Sequence, residues 1–295
     1  MKSQKSLKTP LRYPGGKSRA ITKMAQYFPD FREYTDFREP FVGGGSVAIY
    51  VTKMHPHLKV WINDLYEPLV NFWRQLQECG VELRDELTKQ KEDHNAPDSA
   101  RLLFTSSKER INSDDCSSFD RAVAFYIVNK CSFSGLTESS SFSAQASESN
   151  FSFRGIDKLP EYQEIIKDWR ITNHSYEYLM GQELHEGVFM YFDPPYDIKD
   201  NLYGKKGEMH KRFDHDKFAH DCDYHTMDIM VSYNSNQLIR DRFKGWAAAE
   251  YDLTYTMRSV GEYMRDQQKR KELLLLNYGT KGLAELDQSD EKESN

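Results

Sequence analysis

Four residues, Asp193, Pro194, Pro195 and Tyr196, follow an apolar run, Val188–Phe192, that the sequence predicts to be a buried strand. Two consecutive prolines fix φ twice and restrict the preceding backbone to extended geometry, so the aspartate and the first proline carbonyl would be held rigidly. An amino group on a planar ring is a poor nucleophile because its lone pair is delocalised. A carboxylate and a carbonyl would bind its two hydrogens while a tyrosine stacks on the ring. The pattern predicts a site that activates such a group; the alternative is a turn that contains two prolines.

A glycine-rich turn lies upstream, within residues 39–47 (EPFVGGGSV). Glycine has no Cβ, so Gly43 and Gly45 would let the backbone come close to a ligand at the end of a strand. Asp64 follows about twenty residues later, at the end of a predicted strand, where nucleotide-binding folds place an acid that accepts ribose hydroxyls. The glycine-rich turn and Asp64 together favour an adenosine-containing ligand, but they do not distinguish NAD, ATP and AdoMet. A tight turn and a helix N-cap are the structural alternatives.

Residues 11–18 (LRYPGGKS) form a basic, glycine-containing loop with one aromatic side chain. A P-loop requires a glycine five positions before the Gly-Lys-Ser, where this chain has Leu11, and a buried strand before the loop, which is missing from the sequence. The sequence therefore excludes a P-loop and predicts a loop that binds a small ligand or a phosphate.

Histidines recur at five-residue spacing in a region rich in aspartates. That spacing does not bring His210, His215 and His220 to one helix face, so it favours a solvated helix capped near Asp214 over a metal site. The four cysteines show no paired spacing: Cys79, Cys116, Cys131 and Cys222. They indicate free thiols in a reducing compartment. We therefore expect no metal.

The composition is that of a globular protein of 295 residues, with 38% hydrophobic and 29% charged residues. No apolar run approaches the ~20 residues of a membrane span, and the N-terminus lacks the apolar stretch of a signal peptide. A net charge of −6 does not by itself indicate a nucleic-acid partner. Basic residues are nevertheless concentrated near the N-terminus and in residues 258–271. Residues 284–295 are acidic and predicted to be disordered.

Apolar strand patterns alternate with helical ones along the chain. Residues 35–50 are predicted to form a short strand, the glycine-rich turn and the start of a helix. Further strands are predicted at 59–64, 188–192, 227–233 and 272–278, and a helical region extends from 67 to about 130. A serine-rich loop, 132–152, and a short helix at 161–169 follow that region. Because parallel strands need crossover helices, the pattern predicts the α/β class, with a helical insertion in the sheet.

The order of these motifs resembles that of the Dam-type, or D12 class, of DNA adenine methyltransferases. Residues 11–17 resemble the family's N-terminal loop, 39–47 its AdoMet loop and 193–196 its catalytic tetrapeptide, while 258–274 resemble its basic hairpin and following strand. The resemblance implies a Rossmann-like AdoMet-dependent methyltransferase sheet with a helical target-recognition insertion. The implied ranges are 1–68 plus 179–283 for the catalytic domain and 69–178 for the recognition domain, before the tail at 284–295.

The resemblance also implies the reaction, which is methyl transfer from S-adenosylmethionine to N6 of an adenine flipped out of double-stranded DNA. The implied catalytic residues are Asp193, Pro194 and Tyr196. Those implied for the cofactor are Tyr13, Lys17, Phe41, Gly43, Gly45, Asp64 and Asp193. The methyl on a sulfonium is already activated, so no metal is needed.

A further set is implied to contact DNA: Arg12, Lys130, Phe133, Ser134, Leu136, Arg258, Lys269, Arg270 and Lys271. Phe133 would wedge into the base stack, or else be an ordinary core aromatic. The basic residues would contact phosphates, or else form a solvated hairpin face. Family members that methylate GATC carry an arginine where this chain has Glu138. A carboxylate cannot make arginine's bidentate contact to guanine, so the recognition sequence stays open.

Two other functions remain open at this point. One is methylation of another planar amino group, in an RNA base or a protein glutamine, and the other is DNA binding without catalysis. For the main interpretation, a site-specific enzyme of the restriction-modification type, we expect a monomer in solution, with more than one copy on DNA as an option. We expect no membrane partner and a cytoplasmic location in a bacterium or in the host of a phage or virus.

Overall fold

The computed structural model describes residues 9–133, 140–196, 213–252 and 271–279. Its centre is a seven-stranded sheet in the order β3-β2-β1-β4-β5-β7-β6, in which β7 runs antiparallel to both of its neighbours. The strands are β1 Asp36–Glu39, β2 Lys59–Asn63, β3 Arg170–Thr172, β4 Val188–Phe192, β5 Asp228–Asn234, β6 Ala247–Asp252 and β7 Lys271–Leu276. The predicted α/β class with a Rossmann-like methyltransferase sheet is confirmed.

The helices surround this sheet and build a separate layer between β2 and β3. In the described part of the chain they are α1 Ile21–Met24, α2 Ser46–Met54, α3 Glu67–Asp93, α4 Pro97–Arg110, α5 Ser118–Cys131, α6 Ala144–Ser149, α7 Phe153–Ile156, α8 Leu159–Ile166, α9 Tyr176–Met180, α10 His215–Tyr224 and α11 Gln237–Arg242. Short 3-10 helices occupy Lys17–Arg19, Ala25–Tyr27 and Phe31–Glu33. No helix among the described residues is long and apolar enough to cross a membrane.

The central strand β4 is buried along its whole length, as expected for a parallel strand covered on both faces. Phe189 and Tyr191 enter one hydrophobic cluster, and Val188, Met190 and Phe192 enter the other. This alternation explains why an uninterrupted apolar run forms a strand here. The two layers fix the direction in which the chain leaves β4, and therefore the position of the tetrapeptide that follows.

The order of strands reverses between β1 and β4, which pair in parallel. From β1 the sheet continues to β2 and β3 on one side, and from β4 it continues to β5 on the other. In α/β sheets, ligands bind outside the carboxyl ends of the strands at such a switch point. The glycine-rich turn after β1 and the tetrapeptide after β4 both lie there.

The helical layer is built on α3, whose apolar residues Leu69, Phe72, Trp73 and Leu76 are fully buried. This helix bends at Cys79, where the backbone has non-helical φ and ψ of −133° and 38°. It packs against α5 and α8. In α5 every residue from 122 to 131 is buried, so this helix is enclosed on all sides.

The sheet includes part of the range assigned from the sequence to the recognition domain. β3 lies within residues 69–178, yet it pairs with β2 through Ile171 and Ile62. Its three residues, Arg-Ile-Thr, carry no apolar run that could reveal a strand. The helical layer proper therefore ends before β3, with α8. The division into two domains remains a prediction, and residues 284–295 lie outside the described part.

Two edge strands, β3 and β6, were absent from the sequence prediction. β6 begins with three alanines, a residue type depleted in strands, and it is held by pairing with β7. The short helix predicted at 161–169 is instead α8, which ends at Ile166 before the chain enters β3. The predicted capped helix is confirmed, since Asp214 accepts a hydrogen bond from the Lys217 amide at the start of α10.

Candidate active site

The glycine-rich turn adopts a conformation that requires glycine at two positions. Gly43 and Gly45 have φ values of 46° and 68°, in the left-handed region. A Cβ on Gly43 would lie 2.8 Å from the Tyr13 ring, and one on Gly45 would lie 2.7 Å from the Trp73 ring. The turn is therefore enclosed between two aromatic rings, and Gly45 leads directly into α2 as its N-cap. Two of the residues predicted for the cofactor, Tyr13 and Gly43, are in contact here.

Asp64 braces this turn from the end of β2. Its Oδ2 accepts a hydrogen bond from the Gly43 amide at 3.1 Å, and its Oδ1 accepts one from the Tyr66 amide at 3.0 Å. The carboxyl is buried, and burial raises its pKa to about 6 against the opposing effect of these backbone bonds. Asp64 thus joins the glycine turn to the start of α3. Its predicted contact with a ribose remains a prediction.

Lys17 is almost fully buried and its ammonium lies at the centre of the site. The Lys17 amide donates to Ser46 Oγ at 3.0 Å, which fixes the backbone of the N-terminal loop against α2. Lys17 Nζ donates to Asp193 Oδ1 at 2.7 Å and to Oδ2 at 2.8 Å. It also donates to Tyr196 OH at 2.7 Å and to the Gly15 carbonyl at 3.0 Å. The loop and the tetrapeptide are thereby joined through one buried cation.

Asp193 lies directly after β4, with about one fifth of its side chain exposed (21%). Ser232 Oγ, on the neighbouring strand β5, donates to Asp193 Oδ1 at 2.8 Å. Burial raises the pKa of Asp193 above its ordinary value, while the charge of Lys17 and the hydrogen bonds from Lys17 and Ser232 oppose that rise. The adjoining Pro194 is buried. A carboxylate held in this way is a rigid acceptor at the carboxyl end of β4.

Tyr196 is held at its hydroxyl end by two partners. Its OH donates to Glu272 Oε2 at 2.5 Å and accepts from Lys17. Its ring centroid lies 6.1 Å from that of Tyr233 and 5.0 Å from the Lys17 ammonium. The ring is only partly buried, so it remains accessible beside Asp193.

Phe41 follows β1 and lies in an aromatic cluster. Its ring centroid is 5.7 Å from those of Tyr176 and Phe213 and 6.1 Å from that of Phe192. Its side chain is half-buried. The cluster provides an apolar wall next to the glycine turn.

Three buried polar residues belong to the site although they were overlooked in the sequence. Glu39, the last residue of β1, accepts a hydrogen bond from the Ala48 amide at 2.8 Å, and burial together with the charge of Asp193 raises its pKa well above the ordinary value. Ser232 and Glu272 lie on β5 and β7. A polar residue inside an apolar strand, as in VSYN, or at its head, as in ELLLL, was the available signal.

The N-terminal loop also connects the site to α5. The Arg12 amide donates to Asn129 Oδ1 at 2.9 Å, and Asn129 Nδ2 donates to the Arg12 carbonyl at 2.6 Å. The Arg12 guanidinium donates to the carbonyls of Ser132 and Phe133 at 2.7 and 3.2 Å. Arg12 was predicted to contact DNA. In the structure its guanidinium is bound to the backbone that follows α5, and its contact with DNA remains a prediction.

Lys130 also differs from its predicted position. It is 8% exposed, with its ammonium 5.2 Å from the centroid of the Tyr126 ring, because α5 is enclosed on all sides. Burial, with the nearby charge of Arg12, lowers the pKa of Lys130 to about 7. Its predicted contact with DNA remains a prediction.

Phe133, by contrast, is 49% exposed immediately after α5. Its amide donates to the Ser141 carbonyl at 3.1 Å, and its neighbour Ser132 forms a β-bridge with Phe142. These contacts pair segments 131–133 and 141–143, which we call the hairpin, and residues 134–139 between them lie outside the described residues. Its exposure excludes the alternative of an ordinary core aromatic.

The other residues predicted to contact DNA cannot be placed. Ser134, Leu136, Arg258, Lys269 and Arg270, together with Glu138 and His210, lie outside the described residues. Lys271 begins β7, but only its backbone is described. Among the described residues, no group of three or more His, Cys, Asp or Glu side chains could hold a metal ion. The four cysteines are free.

Comparison with known proteins agrees with this geometry. A model of the D12 class N6 adenine-specific DNA methyltransferase family matches residues 13–257. This range includes the N-terminal loop from Tyr13, the glycine turn, the helical layer and the tetrapeptide.

Three curated relatives are similar over much of their length. The Type II methyltransferase M1.LlaDCHI of Lactococcus lactis subsp. cremoris is 24% identical over 94% of this chain and 98% of its own. The Type II methyltransferase M.CviBI of Paramecium bursaria Chlorella virus NC1A is 22% identical over 92% and 100%. The Type II methyltransferase M.MjaIII of Methanocaldococcus jannaschii is 25% identical over 63% and 68%. With the family model covering most of its length, this chain belongs to the D12 class of N6 adenine-specific DNA methyltransferases.

Proposed function

We propose that Asp193, the Pro194 carbonyl and Tyr196 form the catalytic group that methylates N6 of adenine. The observation that carries this proposal is the position of Asp193, at the carboxyl end of β4 and beside the glycine turn that follows β1. Asp193 would accept one hydrogen of the N6 amino group and the Pro194 carbonyl the other. The nitrogen lone pair would then be available for in-line attack on the methyl carbon of S-adenosylmethionine, with the carbon–sulfur bond breaking, S-adenosylhomocysteine leaving and one N6 proton lost afterwards.

The residues around that turn fit S-adenosylmethionine, whose use follows from the family. The bound cofactor supplies an activated methyl group on a positively charged sulfonium. We assign its adenosine to the surroundings of Asp64, Phe41 and the glycine turn, where a carboxylate, an aromatic wall and backbone without side chains meet. The buried carboxylates of Glu39 and Asp193 suit the positive charges of the methionine part. Tyr13 and Lys17 would shape the pocket through their contacts with Gly43 and Asp193.

The target adenine would stack on Tyr196. N6 is enclosed in the base pair and the stack of duplex DNA, so the nucleotide must be rotated out of the helix to reach Asp193. The hydrogen bond from Tyr196 to Glu272 fixes the hydroxyl end of the ring, and the ring itself remains partly exposed. A pre-oriented ring reduces the entropy lost when the base binds.

We assign target recognition to the helical layer and the hairpin after α5. Phe133 is the described residue best placed to wedge into the base stack, because it is a large exposed aromatic at the base of that hairpin. Ser134 and Leu136 would follow it into the DNA. The basic residues of 258–271 would contact phosphates and supply affinity without sequence preference.

The setting we propose is that of a restriction-modification enzyme, in keeping with the names of the relatives, which are Type II methyltransferases. We propose a monomer in solution that acts in the cytoplasm of a bacterium or of a virus host. More than one copy would occupy DNA when sites are close together.

The alternative acceptors, an RNA base or a protein glutamine, have less support because the family acts on DNA adenine. Binding without catalysis also has less support, because the glycine turn, Lys17 and Asp193 form one connected site.

The test is a transfer assay with labelled S-adenosylmethionine on unmethylated duplex DNA, RNA and protein, followed by identification of the modified nucleoside. We expect label in duplex DNA as N6-methyladenine. Label in RNA or protein with none in duplex DNA would contradict the proposal.

A further inference from the structure

The two carboxylate oxygens of Asp193 have different surroundings. Oδ1 accepts hydrogen bonds from Lys17 at 2.7 Å and Ser232 at 2.8 Å, whereas Oδ2 accepts one from Lys17 at 2.8 Å. Each carboxylate oxygen offers about two acceptor positions. Among the described residues, the partners of Oδ1 therefore fill both of its positions, and one position remains on Oδ2.

The hydrogen bonds behind Asp193 run in one direction. Ser232 has a single hydroxyl hydrogen, which it donates to Asp193. Tyr191 OH lies 2.9 Å from Ser232 Oγ, so Tyr191 must be the donor of that bond. Burial and the charge of Asp193 raise the pKa of the Tyr191 phenol well above its ordinary value, which keeps the phenol protonated. The bonds therefore run from Tyr191 to Ser232 to Asp193.

The sheet holds these three residues in fixed positions. Tyr191 and Phe192 on β4 pair in parallel with Met230 and Val231 on β5, so Asp193 and Ser232 are the next residues on the two strands. The side chains of Tyr191 and Ser232 are fully buried. The backbone pairing of the two strands therefore fixes the spacing between these side chains.

We propose that Ser232 is a positioning residue that fills Oδ1 of Asp193 and so directs the N6 amino group of the target adenine to Oδ2. Tyr191 holds the serine hydroxyl in its donating orientation. The inference rests on the proposed catalytic role of Asp193. Without Ser232 both oxygens would offer an acceptor position, and the amino group would bind in more than one orientation relative to the methyl group.

The first variant is Ser232→Ala, measured as the single-turnover rate of methyl transfer at saturating cofactor and DNA. We expect a rate about tenfold lower, because a hydrogen bond to a charged group and the orientation that it gives are lost. We expect affinities for cofactor and DNA within about twofold of wild type, because Ser232 would touch neither.

The second readout is the acid limb of the pH–rate profile, which a purely structural role would not move. Removing a hydrogen bond to the carboxylate raises the pKa of Asp193, so the limb should shift to higher pH. Among the described residues, the other titratable groups near Asp193 are Lys17, Tyr196, Glu39, Glu272, Tyr191 and Tyr251, and all remain in this variant.

A double variant separates positioning from folding. Ser232→Ala leaves the buried Tyr191 hydroxyl without its acceptor, which costs stability, whereas Ser232→Ala with Tyr191→Phe removes both partners. We expect the double variant to regain melting temperature while its rate stays about tenfold low and its acid limb stays shifted. A rate that returns with stability would show that Ser232 serves folding alone and would overturn the inference.

Wild type and Tyr191→Phe complete the set. Tyr191→Phe keeps the bond from Ser232 to Asp193, so we expect a smaller loss of rate, about two- to threefold. A wild-type protein that forms no N6-methyladenine contradicts the proposed function. Active wild type with an equally fast Ser232→Ala and an unmoved acid limb contradicts only the inference about Ser232.

Discussion

Functional residues were predicted in two regions, at the carboxyl ends of the sheet strands and after the end of α5. The residues of the two regions make different kinds of contact. At the sheet edge, Lys17, Asp193 and Tyr196 are bound to one another. At the end of α5, Arg12 is bound to backbone carbonyls, and Phe133 points outward. In the first region the predicted catalytic side chains are held by hydrogen bonds to one another, whereas the second presents one exposed aromatic side chain beside the bridge between Ser132 and Phe142.

The difference shows which functions depend on the fold itself. Asp193 is fixed by β4, by two prolines and by three hydrogen bonds. Ser132 and Phe133 pair with Phe142 and Ser141 across the hairpin, and residues 134–139 between them lie outside the described residues. We therefore expect the chemistry to depend on the residues that the sheet holds and the target sequence to depend on the residues of the hairpin.

The largest effect is expected for Asp193→Asn, which keeps the size of the side chain but removes its charge. We expect methyl transfer to fall by about a thousandfold, since a preorganised acceptor at the reacting group is weakened. DNA binding should remain close to wild type because Asp193 lies in the sheet rather than in the hairpin. Single-turnover transfer and fluorescence anisotropy with duplex DNA measure the two quantities, and transfer within tenfold of wild type would remove Asp193 from its role.

The next effect concerns the glycine turn through Gly43→Ala. The alanine would have to adopt φ near 46°, which costs about 1–3 kcal/mol of strain, and its Cβ would lie 2.8 Å from the Tyr13 ring. We therefore expect cofactor affinity to fall by tenfold or more. Gly181→Ala is the matched control, because its Cβ would lie 3.5 Å from the nearest carbonyl. Calorimetric titration with cofactor compares them. Equal affinities in the two variants would contradict the assignment of the turn.

The hairpin is tested by Phe133→Ala, with Phe153→Ala as control, since both rings belong to the helical layer and are similarly exposed at 49% and 44%. We expect Phe133→Ala to slow base flipping about tenfold, because a wedge offsets part of the unstacking energy. The control should match wild type. Fluorescence of 2-aminopurine at the target position reports flipping, and similar traces from both variants would leave Phe133 without a DNA role.

The smallest change is expected for Arg12→Gln in the salt dependence of DNA binding. The Arg12 guanidinium donates to protein carbonyls, so its removal should leave the slope of log K against log salt unchanged. Replacing Lys269, Arg270 and Lys271 by glutamine should make that negative slope less steep, by about one unit for each DNA phosphate whose charge is no longer neutralised. A less steep slope in Arg12→Gln would show that Arg12 contacts a DNA phosphate.

The sequence predicted which residues lie at the carboxyl ends of the central strands, because their motifs depend on backbone geometry. Two prolines after a buried strand and glycines at positive φ leave local signatures, and the structure places Gly43, Asp64 and Asp193 around one switch point. Contacts between segments that are distant in sequence leave no such local signature. The pairing of Arg12 with Asn129 spans 117 residues, and the burial of Lys130 depends on how α5 is enclosed.

Short edge strands were missed for a related reason. β3 and β6 are stabilised by their neighbours rather than by their own composition, so Arg-Ile-Thr and a run of alanines gave no signal. Ser232 and Glu272 were missed because a single polar residue in an apolar strand is more often a solvent-facing or capping residue than part of a site.

The central claim is tested most directly by expressing the chain in a host without DNA methylation and mapping modified bases across the genome. We predict N6-methyladenine at nearly every copy of one short sequence motif, and none when Asp193→Asn is expressed at the same level. N4-methylcytosine in place of N6-methyladenine, or adenine methylation that persists in Asp193→Asn, would contradict it.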